Sequence, residues 1–131
     1  MFKNIMVPSD GSKHSDKAVD VAITLAKKFD SKVTAVYVLN ENTSFSYDVL
    51  EDEGNKILKK ISEKGKNEGV MIIEHLITAN PLRDMKTIAE KTQVDSVVIN
   101  AFGKDNSRDI IIGSITDRII KTFEIPIILV K

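Results

Sequence analysis

Residues 97–103 read VVINAFG and, after a polar loop, residues 113–117 read GSITD. The β-branched apolar run predicts a buried strand that ends at Gly103. The second segment opens a helical pattern, with Ser114 as a suitable N-cap and Asp117 at the spacing of a capping box. This order of strand, glycine-bracketed loop and helix start predicts an anion-binding site, because the free N–H groups of the first helical turn point at one spot. The alternative is that both glycines serve only the turns.

Outward from this segment, strand and helix patterns alternate along the chain. Strands are predicted at residues 4–7, 32–39, 70–77, 94–101 and 126–130, and helices at 15–29, 47–68, from 80 onward and at 114–123. This order predicts an α/β fold, a single domain over residues 1–131 with a five-stranded parallel sheet. Helices on both faces of the sheet complete a three-layer arrangement.

The helical patterns also predict which side chains face the sheet. Phe29 in the first helix, Leu82 in the third and Ile120 in the fourth fall on the expected inner faces. The second helix has the weakest pattern, since its apolar positions are sparse and Gly54 interrupts them.

Composition narrows the classes of function. The chain has 19 basic and 19 acidic residues, and a net charge of zero argues against a nucleic-acid partner. It contains no cysteine, which excludes disulfides and thiol chemistry. No apolar run approaches the length of a membrane span, and Pro8 breaks the opening segment too early for a signal peptide. We therefore expect a soluble, cytoplasmic protein without a membrane partner.

In parallel sheets of this kind a ligand binds beyond the carboxyl ends of the strands, where the strand order reverses. The strand ends that would line such a site are Pro8-Ser9-Asp10, Val38-Leu39, Ala79-Asn80 and residues 100–103.

Two segments together resemble a known family. Residues 3–12 read KNIMVPSDGS, in which hydrophobic residues precede Pro, a small hydroxyl residue and Asp. Residues 113–119 read GSITDRI, and residues 125–130 read IPIILV. Both segments, and the distance between them, are similar to those of universal stress proteins of the UspA type, over essentially the whole chain. The resemblance implies a Rossmann-like fold of the adenine nucleotide alpha-hydrolase-like kind.

ATP-binding members of that family carry Gly, two residues, Gly, nine residues, and Gly followed by Ser or Thr. Gly103 and Gly113-Ser114 match the later part of this motif, whereas Asn100 stands at the position of its first glycine. A side chain then occupies a place where backbone normally approaches the ligand, so Asn100 is expected to weaken nucleotide binding.

The resemblance implies a site for ATP, with or without Mg²⁺. Asp10 would accept a hydrogen bond from the adenine or the ribose, and Val38 would offer backbone groups and apolar contact to the base. The glycine-bracketed segment, with the Ser114 hydroxyl, would bind the phosphates. The complete predicted set is Pro8, Ser9, Asp10, Val38, Asn100, Gly103, Gly113, Ser114 and Ile115.

Each role has an alternative that concerns structure alone. Asp10 could form an Asx-turn that caps the first helix, and Ser114 could serve only as an N-cap. Asp105 and Asp109 in the glycine-bracketed loop could help to hold Mg²⁺ or could simply be solvated.

The expected function is that of a nucleotide-binding regulatory module with little or no catalysis. The chain has no Walker motif and no recognisable pair of nucleophile and base, so at most slow ATP hydrolysis is expected. An alternative is a dimeric stress protein that binds no nucleotide and acts through protein contacts or phosphorylation, and Asn100 favours it. A third possibility is a slow ATPase or a nucleotidyl-transferring enzyme on the same fold.

The last predicted strand suggests a homodimer. Residues 126–130 are strongly apolar and are expected at a sheet edge, which is an aggregation template unless it is paired. Pairing with its own copy about a two-fold axis removes that edge, and the family resemblance implies the same contact.

Overall fold

The computed structural model describes residues 2–102 and 112–131, in which five strands alternate with four helices. The strands are β1 (Asn4–Pro8), β2 (Lys32–Asn40), β3 (Ile72–Ala79), β4 (Ser96–Asn100) and β5 (Ile127–Val130). The helices are α1 (Lys13–Phe29), α2 (Tyr47–Asn67), α3 (Pro81–Lys91) and α4 (Ser114–Thr122). The predicted α/β alternation is confirmed. Among the described helices, none combines the length and the apolar character needed to cross a membrane.

All strand pairs are parallel, and the order in the sheet is β3-β2-β1-β4-β5. The chain runs outward from β1 to β3 on one side and then returns to place β4 on the other side of β1. The strand order therefore reverses between β1 and β4, which is where sheets of this kind bind ligands.

Alternate residues of the central strand β1 point to opposite faces of the sheet. Ile5 belongs to a core cluster that includes Leu58 of α2, together with buried residues of α1. Met6, the next residue, belongs to a second cluster with Ile88 of α3 and Ile119 of α4. The sheet is thus covered by α1 and α2 on one face and by α3 and α4 on the other, which confirms the three layers.

Three side chains that the helical patterns placed inward are exposed: Phe29 by 56%, Leu82 by 48% and Ile120 by 42%. Each lies in the first or last turn of its helix, where periodicity does not show whether a neighbouring element covers the side chain. Phe29 instead stacks on Phe2, with ring centroids 5.4 Å apart.

The predicted interruption at Gly54 is wrong, because α2 is continuous from Tyr47 to Asn67. Gly54 is buried, and a Cβ atom there would lie 2.6 Å from side-chain atoms of both Leu76 and Tyr37. Glycine at this position lets α2 lie close to β2 and β3, so the residue that weakens the sequence pattern serves the packing of the helix.

Gly65 lies eleven residues further along α2 and allows the same packing argument to be tested. A Cβ there would lie 2.3 Å from Ile72 Cγ1 and 2.9 Å from the Val70 carbonyl oxygen. Overpacking costs about 1–3 kcal/mol, against a gain of about 1 kcal/mol in helix propensity, so Gly65→Ala should lower the free energy of unfolding by about 1 kcal/mol. Urea unfolding followed by circular dichroism measures this. The control is Asn55→Ala on the exposed side of α2, which should be neutral or slightly stabilising; equal stability of the two variants would contradict the packing argument.

Candidate functional site

A cavity of about 310 Å³ lies at the carboxyl ends of β1, β2 and β4, beside the start of α4. Its volume is at the lower end of the range for small-molecule sites, about 300–1,000 Å³. Eight of the nine predicted site residues line it, and the ninth, Gly103, lies outside the described residues. The eight are Pro8, Ser9, Asp10, Val38, Asn100, Gly113, Ser114 and Ile115.

The cavity combines an apolar wall with a few polar groups. Met85 of α3 is 3% exposed and Ile99 of β4 is 3% exposed, and both belong to the core cluster against which Val38 and Ile115 pack. Asp10 and other polar residues of the strand ends complete the lining. An apolar wall with a few polar groups is the composition expected of a small-molecule site.

Asp10 lies in the turn between β1 and α1. Its Oδ1 accepts hydrogen bonds from the Ser12 N–H, at 2.9 Å, and from the Ser15 hydroxyl, at 3.0 Å. The first bond forms the Asx-turn that was the alternative interpretation. The N-cap of α1 is Ser12, whose Oγ accepts from the Ser15 N–H. Asp10 therefore forms the turn and also lines the cavity, so the two interpretations are compatible.

The peptide groups of Val38 face the cavity side of β2. The Val36 carbonyl accepts a hydrogen bond from the Ser9 N–H at 2.9 Å, just past the end of β1. Successive residues of a strand direct their peptide groups to opposite sides, so Val38 directs its N–H and C=O toward β1's side as well. Since β1 has ended at that point, the N–H and C=O groups of Val38 face the cavity.

The capping box predicted at the start of α4 is wrong. Gly113 is the N-cap, and Ser114 is the first helical residue and is exposed. The Gly113 N–H donates to the Ala101 carbonyl at 2.9 Å, and the Gly113 carbonyl accepts from the Asp117 N–H at 2.9 Å. Because helical bonding begins at Gly113, the Ser114 hydroxyl has no capping role.

This helix start presents backbone donors to the cavity. The N–H groups of Ser114, Ile115 and Thr116 precede the first intrahelical hydrogen bond, and all three residues line the cavity. The positive end of the helix dipole lies at the same place.

Hydrogen bonds tie α4 to the end of β4. The Thr116 hydroxyl, on a residue only 4% exposed, donates to the Asn100 carbonyl at 2.8 Å. The Asn100 side chain donates through Nδ2 to the Phe102 carbonyl at 2.5 Å. Phe102 in turn forms an antiparallel bridge with Ile112. This Phe102–Ile112 pair, which we call the neck, brings together the two ends of the segment between β4 and α4.

Charged side chains form ion pairs at the start of α3, the helix that contributes Pro81 and Met85 to the cavity. Arg83 contacts Asp84 at 2.7 Å and Glu41 at 2.8 Å. The hydrogen bond from Arg83, aided by the Asn80 N–H, lowers the pKa of the Asp84 carboxyl to about 2. Arg118, which lines the groove between α3 and α4 together with Ser114, adds a positive charge near the start of α4.

Burial raises the pKa of the Tyr37 hydroxyl above its ordinary value, and the negative charges of Glu53 and Asp10 raise it further. The phenol is therefore neutral at physiological pH. The contribution of Asp10 shows that its carboxylate is close enough to β2 for its charge to act there.

The Mg²⁺ expectation rested on Asp105 and Asp109, which lie outside the described residues. Residues 2–102 and 112–131 contain no group of three or more His, Cys, Asp or Glu side chains placed to hold a metal ion.

Several lining residues were not predicted as site residues. Met85 follows Leu82 by three residues and falls on the same predicted inner face of the third helix, with no role in a site. Thr116 follows Ser114 in a motif that marks only Ser114. Tertiary packing brings these residues to the cavity. For Met85, its position on the inner face of α3 was a signal that could have been used. The full set that was not predicted is Val36, Tyr37, Pro81, Met85, Ile99 and Thr116, whereas Phe102 belongs to the strand end at residues 100–103 that was expected to line the site.

Comparison with known proteins agrees with this architecture. The model of the universal stress protein family matches residues 1–131. Universal stress protein MJ0531 of Methanocaldococcus jannaschii is 31% identical over 141 residues, covering 100% of this chain and 83% of that protein. The chain belongs to the universal stress protein family.

Solved structures show the same fold. Universal stress protein UspA from Lactobacillus plantarum superposes with a TM-score of 0.85 at 18% identity, over 99% of this chain and 98% of that one. The universal stress protein from Archaeoglobus fulgidus in complex with dAMP superposes with a TM-score of 0.80 at 22% identity, over 100% of both chains. The predicted fold class and family are confirmed.

The bond between α4 and β4 can be tested by its effect on stability. Thr116→Val keeps the shape of the side chain but removes the hydrogen bond to Asn100, and it should lower the free energy of unfolding by about 1 kcal/mol. The control is Thr122→Val in the same helix, where the hydroxyl bonds to the Arg118 carbonyl of its own helix and is exposed. Chemical denaturation of both variants measures the difference, and a Thr116→Val variant as stable as the control would show that the bond contributes nothing.

Proposed function

We propose that this chain is a regulatory module that binds adenine nucleotides, with ATP as the ligand. The observation that carries the proposal is the cavity between the ends of β1, β2 and β4, lined by the eight described residues of the predicted set. Its place at the reversal of strand order, its size and the helix start beside it all suit a nucleotide.

The base and sugar would occupy the part of the cavity near β1 and β2. The Val38 peptide group can form hydrogen bonds with the edge of an adenine, while the side chains of Met85 and Ile99 pack against its faces. The Asp10 carboxylate accepts hydrogen bonds, so it would bind the adenine amino group or a ribose hydroxyl. These contacts favour a nucleotide over a bare phosphate.

The phosphates would lie at the start of α4. The N–H groups of the first helical turn and the Ser114 hydroxyl provide neutral donors there. Arg118 adds a positive charge nearby, in the groove next to the cavity. Mg²⁺ would enter with the nucleotide and be held largely by the phosphates themselves. Gly103 remains a proposed phosphate contact.

The similarity to the Archaeoglobus fulgidus protein that binds dAMP supports the choice of an adenine nucleotide. Slow turnover or none is proposed, because neither histidine lines the cavity. His14 contacts the Phe102 ring edge-on, with centroids 5.6 Å apart, and His75 lies on β3. A cytoplasmic location, where ATP is abundant, would suit this ligand.

Three variants, two that should weaken ATP binding and one that should tighten it, test the proposed ligand. Gly113→Val should abolish ATP binding, because Gly113 lines the cavity and a β-branched side chain there would take up space that the phosphates need. Its φ of −58° and ψ of 148° suit any residue, so the backbone of the turn should persist. Ser114→Ala should cost about 0.5–1.5 kcal/mol, one hydrogen bond. Asn100→Gly should tighten binding by removing a side chain from the lining.

Isothermal titration calorimetry with ATP measures these effects, after circular dichroism has shown that each variant is folded. The control is Ile112→Val, next to Gly113 but outside the lining. If the wild type does not bind at millimolar ATP and Asn100→Gly does not restore binding, the glycines are structural and the nucleotide-free dimer takes the place of this proposal.

We also propose a homodimer formed through the last strand. Within the part of the chain that the structure describes, β5 pairs with β4 alone and forms one edge of the sheet. Its four residues are apolar, and Leu129 is 38% exposed. A second copy of β5 would cover this edge about a two-fold axis.

Replacing Ile127 and Leu129 by glutamate should convert the dimer to a monomer, because charges would then oppose each other across the two-fold axis. Light scattering at micromolar concentration measures the mass. The matched control replaces Met71 and Val49 by glutamate, two residues that are exposed by 67% and 61% and lie away from β5. A wild-type monomer, or dissociation of the control, would refute the contact.

A further inference from the structure

A cluster of three serines surrounds Asp10 in the turn between β1 and α1. Ser15 is 1% exposed and Ser9 is 7% exposed. The Ser15 Oγ lies 3.0 Å from Asp10 Oδ1, 3.1 Å from Ser9 Oγ and 3.3 Å from Ser12 Oγ. Capping of α1 requires only the Ser12 side chain, which accepts from the Ser15 N–H. The Ser15 hydroxyl is therefore surplus to the cap.

The directions of these hydrogen bonds can be assigned from the number of protons. Ser9 Oγ accepts from the Gly11 N–H at 3.2 Å, so its own proton is available for Ser15 Oγ. The Ser15 hydroxyl has one proton and two acceptors at 3.0 Å, Asp10 Oδ1 and the Ser12 carbonyl. The carboxylate is the stronger acceptor because it is charged. The resulting chain of donors runs from Ser9 through Ser15 to Asp10.

Two donors thus hold one oxygen of the Asp10 carboxylate, the Ser12 N–H at 2.9 Å and the Ser15 hydroxyl at 3.0 Å. One donor belongs to the turn and the other to a buried side chain on α1. Rotation about the Cβ–Cγ bond would break both hydrogen bonds, so the donor from α1 adds to the restraint that the turn places on the carboxylate. This carboxylate lines the cavity.

We infer that Ser15 is a positioning residue of the nucleotide site, which orients the Asp10 carboxylate for the hydrogen bond to the adenine amino group or the ribose. Ser15 does not itself line the cavity. The inference rests on the proposed function and adds a determinant of ligand selectivity to it. A positioning role affects only the ligand group that Asp10 contacts, whereas loss of packing alone affects every ligand equally.

The experiment compares three ligands by calorimetry: ATP, inosine triphosphate, which lacks the 6-amino group, and 2′-deoxy-ATP. The Asp10→Asn variant first shows which analogue lacks the group that Asp10 contacts, because the preference for ATP over that analogue depends on Asp10. Ser15→Ala should then reduce the preference of the wild type for ATP over that analogue about threefold to tenfold, the size of one hydrogen bond. In the Asp10→Asn background the same substitution should change the preference by less than twofold, because its effect acts through Asp10.

Two further variants separate positioning from packing. Ser15→Cys has nearly the shape of serine and is a much weaker donor, so it should repeat the loss of preference even where Ser15→Ala folds poorly. Ser31→Ala removes another buried serine hydroxyl, 8% exposed and bonded to the Phe2 carbonyl away from the cavity. This control should lower stability and leave the preference between ligands unchanged.

The outcomes are distinct. A wild type that binds none of the three nucleotides overturns the proposed function. A wild type that binds ATP, with a preference that Ser15→Ala and Ser15→Cys leave unchanged, overturns the role of Ser15 alone. A loss of preference that is equally large in the Asp10→Asn background also overturns it, since Ser15 would then act by another route.

Discussion

The structure depends on the attachment of the start of α4 to the end of β4. The Gly113 N–H donates to the Ala101 carbonyl at 2.9 Å, and the Thr116 hydroxyl donates to the Asn100 carbonyl at 2.8 Å. These bonds place the first turn of α4 beside the point where the strand order reverses between β1 and β4. Together with the packing of Ile119 in the core, they fix the backbone donors of the helix relative to the ends of β1 and β2.

The fold could be predicted because its strands are short apolar runs separated by helical periods. Val97, Val98 and Ile99 are almost fully buried, as expected for a strand covered on both faces. The predictions failed where a residue's environment depends on elements distant in sequence. Phe29 fits the helical period but ends α1 beside Phe2, and Gly54 lies against Tyr37 and Leu76. Periodicity indicates which residues share a face of a helix, but it does not indicate how closely another element approaches that face.

The position of the cavity could be predicted for a related reason, whereas the role of its residues in binding stays a prediction. Pro8, Asp10 and Asn100 lie at or just after the carboxyl ends of β1 and β4, and parallel strands bring these ends to one edge of the sheet. Met85 was missed because it lies within α3, which packs on the same face of the sheet as α4, and not at the end of a strand. The predicted capping box was wrong because the Gly113 N–H donates to the Ala101 carbonyl and Gly113 is the N-cap. The helix therefore begins one residue earlier than a cap at Ser114 would imply. A local motif could not show that contact, since its acceptor lies twelve residues away.

Asn100 illustrates how local order and room for a ligand oppose each other at this site. Its Nδ2 donates to the Phe102 carbonyl at 2.5 Å, and Phe102 pairs with Ile112 in the neck. The side chain therefore supports the turn by which the chain leaves β4, yet it also lines the cavity. A glycine here would give the ligand more room and remove that support. Because the support is of the order of one hydrogen bond, about 1 kcal/mol, its loss is small enough for the fold to persist with glycine at position 100.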